Sequence, residues 1–77
     1  MTYQAEETKK QIKIMRENLK SLRKERGWTV EELSEISGID IKTLNGMERE
    51  QDFDIQYLFD LCRIYHIQPP KIFCQKF

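Results

Sequence analysis

The stretch TVEELSEISGIDIKTLNGME, Thr29–Glu48, decides the fold. Thr29 offers an N-cap hydroxyl and Glu32 follows three residues on, a spacing that lets each side chain take a backbone N–H of the first turn. The helix started there runs from Val30 to about Ser37. Gly38 stops it, because glycine takes the left-handed conformation without a steric penalty. Asp40 is placed to cap the next helix, in which Ile41, Leu44 and Met47 recur at steps of three. Gly46 inside that helix weakens it by about 1 kcal/mol relative to alanine. Leu33 and Leu44 are placed to pack across the turn. Ser34 is small enough for the helices to cross closely, Ile39 plugs the corner, and Met47 reaches back to the core.

A small residue, a glycine four later, and apolar residues six and nine after that glycine are what a helix-turn-helix requires. The flanks agree with it. Upstream, Ile12, Met15, Leu19 and Leu22 make one helical stripe, which Gly27 closes. Residues 1–10 are polar and read as a flexible arm. Trp28 precedes the Thr29 cap, where a residue stapled to the core edge belongs. Downstream, a polar link from Arg49 to Asp54 leads into a fourth helix carrying Ile55, Leu58, Phe59, Cys62 and Tyr65. Pro69 and Pro70 begin a last short turn, with Ile72 and Phe73 folding back on the core. Period-two alternation is absent. The expectation is an all-α, compact five-helix domain over residues 11–77 behind an arm of ten residues.

Length and composition narrow the function. At 77 residues the chain is one domain near the lower limit for an independent core. No apolar run approaches the ~20 residues that span a bilayer, and the polar start lacks an apolar signal core. The expectation is a cytoplasmic protein with Cys62 and Cys74 reduced, and no membrane partner. Cys62 and His66 share a helix face, but zinc needs four ligands or three and a water. A small core cysteine and a helix-end histidine account for them, so no metal and no cofactor are called for. One histidine, no Gly-rich phosphate loop and scattered carboxylates do not make an enzyme.

The stretch NLKSLRKERGWTVEELSEISGIDIKTLNGMER resembles the helix-turn-helix of the phage repressor and Cro class, also called the xenobiotic-response-element family. The likeness continues through LFDLCRIYHIQPPKIF and covers about Ile12 to Phe73. It implies a lambda-repressor-like domain that binds double-stranded operator DNA, usually as a homodimer, with the third helix in the major groove. By matching positions, Ile41, Lys42, Asn45 and Gly46 would face the bases. Thr29, Val30, Thr43 and Arg49 would lie by phosphates. Lys42 suits guanine N7 and O6, Asn45 suits adenine, and Ile41 suits a thymine methyl. The family also pairs an arginine of the first helix with a glutamate of the third, positions held here by Arg23 and Glu48.

The charge map departs from that pattern. Residues 1–26 carry eight basic and four acidic side chains, for +4. Residues 27–60 carry only Lys42 and Arg49 against nine acids, for −7, and residues 61–77 carry +3. DNA affinity rests on neutralising phosphates, so the helix-turn-helix has the wrong sign. Val30 stands where a glutamine commonly begins the second helix, Glu50 where a glycine usually ends the third, and Gly46 has no side chain to read a base. The link after the third helix looks one residue short. Two readings follow: a transcriptional regulator on DNA, or an antirepressor-like module that meets a protein partner through its acidic face. The basic run Lys9, Lys10, Lys13, Arg16, Lys20, Arg23, Lys24 and Arg26 suits phosphates, a neighbouring copy's acidic face, or plain solvation. The apolar end at Phe77 suits a dimer surface.

Overall fold

The computed structural model describes residues 2–77, with side chains from residue 6 onward. Four α-helices follow in order: α1 (Thr2–Glu25), α2 (Val30–Ser37), α3 (Ile41–Glu48) and α4 (Ile55–Tyr65). A 3-10 turn, Pro69–Phe73, closes the chain, so the fifth expected helix is this tighter form, with proline at its start. All described elements are helical.

α1 begins well before Ile12. Residues 2–10, expected as an arm, form its opening turns; Met1 lies outside the described residues. At about 1.5 Å per residue the helix is roughly 36 Å long, close to the molecule's 40 Å longest extent. Its first half has no apolar stripe to bury, and residues 6–13 are exposed. Its second half buries Met15, Leu19 and Leu22. Gly27, at φ 72°, ends the helix. There the Trp28 amide donates to the Arg23 carbonyl (3.1 Å) and the Gly27 amide to the Lys24 carbonyl (2.9 Å).

The core joins that stripe to Leu33, Ile39, Leu44, Met47, Leu58, Leu61, Cys62, Tyr65 and Ile72, all buried. Each large side chain removed from water contributes about 1.5–3 kcal/mol. α4 corrects one expectation. Leu58, Leu61, Cys62 and Tyr65 form its buried stripe, whereas Ile55 is 54% and Phe59 47% exposed. At 3.6 residues per turn Phe59 stands about 100° around the helix from Leu58, off the packed face. Leu61, absent from the expected stripe, takes its place. α4 ends as α1 does, but with His66 rather than glycine in the left-handed region, at φ 59°. The Ile67 amide reaches the Cys62 carbonyl at 2.9 Å there.

One buried polar residue ties the C-terminal tail to α1. Asn18 is 3% exposed. Its Nδ2 donates to the carbonyls of Ile72 (2.7 Å) and Gln75 (2.6 Å), and its Oδ1 accepts from the Phe77 amide (3.2 Å).

Candidate nucleic-acid interface

Local chemistry sets the two short helices. The Glu32 amide donates to Thr29 Oγ1, and the Thr29 amide to Glu32 Oε1, both at 3.1 Å. Gly38 at φ 74° closes α2, its amide on the Ser34 carbonyl at 2.9 Å. Ser34 does more than leave room. Its Oγ donates to the Ile39 carbonyl at 2.6 Å, while the Ile39 amide donates to Ser37 Oγ at 3.1 Å. The turn is thus hydrogen-bonded to the helix it leaves. Asp40 Oδ2 accepts from both the amide and the hydroxyl of Thr43 at 3.1 Å, which starts α3.

Two arginines of α1 hold α3 against the body. Arg23 Nε meets Glu48 Oε2 at 2.8 Å and its Nη2 meets Oε1 at 3.0 Å, a two-point pair with side chains 12% and 9% exposed. Arg23 Nη1 also donates to the Trp28 carbonyl at 2.8 Å. The Glu48 hydrogen bond raises the Arg23 pKa against the opposing pull of burial. Arg16 Nη1 donates to the carbonyls of Gly46 and Met47, both at 3.0 Å. Those are terminal carbonyls of a helix that has no glycine to finish it.

The basic run from Lys9 to Arg26 therefore divides. Arg16 and Arg23 are engaged with α3. Arg26 donates to the Tyr65 carbonyl at 3.1 Å and lies over the Trp28 and Tyr65 rings. Lys9, Lys10, Lys13, Lys20 and Lys24 remain exposed. Arginine suits such fixed contacts because its planar fork carries several donors, whereas lysine keeps a compact, strongly hydrated charge in water.

α3 turns its outer side to an open groove lined by Asp40, Ile41, Lys42, Asn45, Gly46, Arg49 and Gln51. Ile41 is 42% exposed, a large apolar side chain left in water. Lys42 and Arg49 are exposed and Asn45 is half-buried. Gly46 is buried and presents only backbone: its carbonyl accepts from Arg16 and from the Gln51 amide, the latter at 3.3 Å. Thr29 and Val30 lie at the start of α2, and the Thr29 hydroxyl is occupied by its cap. Gln51 carried no sequence signal. It falls in a polar link, and only the fold brings it beside α3.

The acids of that link also find a setting. Glu50 and Asp52 line a cleft with Lys9, Lys13 and Arg16 of α1. Part of the negative charge around the helix-turn-helix thus faces part of the positive charge of the first helix.

The geometry agrees with comparison to known proteins. The profile of the helix-turn-helix family matches residues 19–72, from the last turns of α1 through α2, α3 and α4 into the 3-10 turn. No curated protein and no solved structure shows significant similarity to the chain. The profile spans well over half of the sequence, and the chain belongs to the Cro/C1-type helix-turn-helix family of DNA-binding regulatory domains.

Proposed function

We propose that the protein is a transcriptional regulator that reads operator DNA in the major groove with α3, two copies to a two-fold site. The outward groove of α3 carries this reading, with Ile41, Lys42, Asn45 and Arg49 on its wall. A major groove about 12 Å wide admits one such helix. Ile41, Lys42 and Asn45 face the bases; Gly46, base-facing by position, is buried and offers no side chain. Thr29, Val30, Thr43 and Arg49 approach phosphates, together with the amide end of α2. Arg23 and Glu48 keep α3 at a fixed angle to the body.

One observation favours a second reading. The −7 carried by residues 27–60 suits a protein partner better than a polyanion. Duplex titration separates the two. On the first reading, affinity falls with rising salt at a log–log slope of several units, because each neutralised phosphate releases counterions. The complex holds two chains per duplex, and Lys42→Glu weakens binding at least tenfold, about 1.4 kcal/mol. No detectable binding at roughly 20 mM salt, where phosphate contacts are strong, overturns the first reading.

A further inference from the structure

Gly46 leaves α3 without a side chain at its last outward position. The structure fills the space from elsewhere. A Cβ built on Gly46 would lie 2.6 Å from Gln51 Oε1 and 3.1 Å from Gln51 Cβ. The Gln51 side chain therefore lies flat on the glycine, in space that any other residue would occupy. Its own amide N–H is fixed on the Gly46 carbonyl. Gln51 is exposed, lines the same groove as Lys42 and Asn45, and its side-chain amide makes no hydrogen bond among the described residues.

We infer that Gln51 is a base-reading, specificity-determining residue, delivered by the α3–α4 link onto the place that Gly46 vacates. The inference rests on the DNA-binding reading given above. The glycine and the glutamine act as a pair: one removes the obstruction and the other supplies the amide. A glutamine amide offers one donor and one acceptor in a plane, which matches adenine N7 and N6 in the major groove. The reading face of α3 then extends from Ile41 through Lys42 and Asn45 to Gln51, and the hydrogen bond from the Gln51 amide to the Gly46 carbonyl keeps Gln51 within reach.

Selection of duplexes from a random pool, with sequencing, tests this on the full chain. The unaltered protein selects sites holding an A·T pair at one position that depends on Gln51. Gln51→Ala lowers the preference at that pair at least about fivefold, with preferences elsewhere kept. Gln51→Glu, whose carboxylate only accepts, moves the preference there toward cytosine, which presents the N4 donor. Gly46→Ala displaces the amide and flattens the same position. Circular dichroism on each variant reports that the helices persist. Identical preferences in all four proteins, or a uniform loss of affinity with unchanged preferences, overturns the role of Gln51 alone. An unaltered chain that selects nothing and binds no duplex overturns the DNA-binding reading, and this one with it.

Discussion

Tyr65 is 2% exposed, and its hydroxyl has no hydrogen-bond partner among the described residues. Its ring is well used. It stacks on Trp28 at 6.1 Å, and the Arg26 guanidinium lies 5.3 Å from its centroid. The cost falls on the oxygen. Burial, helped by the nearby Glu48 carboxylate, pushes the phenol pKa up from 10.0 to about 12. Between those values the unfolded chain holds fewer protons than the folded one, so stability falls as pH rises. The contribution is complete below pH 10 and lost on passing through about 12. Burial raises the Cys62 thiol in the same sense. Tyr65→Phe keeps the ring and removes the unpaired oxygen. The variant should be as stable as the parent at pH 7, or more stable by about 1 kcal/mol, and lose less stability on going to pH 11. Thermal unfolding at the two pH values checks both statements. A variant weaker at pH 7 would mean that the hydroxyl has a partner.

At the scale of elements, the end of α3 shows what sequence reading reaches and where it stops. The starts of α2 and α3 are legible because their signals are local. Thr29 and Glu32, Gly38, and Asp40 each act within three or four residues along the chain. The end of α3 is not legible. Its terminal carbonyls are taken by Arg16, some thirty residues upstream, whose guanidinium also lies 5.7 Å from the Phe53 centroid. In sequence Arg16 shares its spacing with Lys13 and Lys20 and reads, like them, as a charge for phosphates, a neighbouring copy or solvent. Periodicity places a residue on a face but does not say which arginine finds a carbonyl. Gln51 escapes for the same reason. Arg16→Met keeps much of the apolar stem and removes the donors. It should cost about 1–3 kcal/mol in urea unfolding, since hydrogen bonds from a charged donor exceed neutral ones. Amides of the last turn of α3 should exchange faster with solvent in that variant while those of α4 hold. Equal exchange across both helices would mean that Arg16 does not secure α3 in particular.

For the molecule as a whole, a chain of 77 residues must hold its C-terminal turn on a small core. Asn18 supplies part of the hold. It lies three residues after Met15 and four before Leu22, on the apolar stripe of α1, and the sequence marks it only as a polar residue there. In the fold it binds the carbonyls of Ile72 and Gln75 and the amide of Phe77, closing the last element on the first. Phe77, which in the sequence suggests a dimer surface, is 39% exposed, with its own backbone secured by this clasp. A domain of this size has a total stability on the order of 4–12 kcal/mol. Asn18→Leu keeps the branched side-chain shape and suits the apolar stripe, yet it strands two carbonyls and an amide. The expected cost is about 1–3 kcal/mol, the range for buried groups left unpaired. That corresponds to a fall in Tm of at least about 4 °C. Limited proteolysis should then release the C-terminal residues ahead of global unfolding, because the tail loses its attachment before the core loses its packing. An unchanged Tm, or cleavage no faster at the tail than in the parent, would show that Ile72 packing alone secures the last turn and that the Asn18 hydrogen bonds add nothing to it.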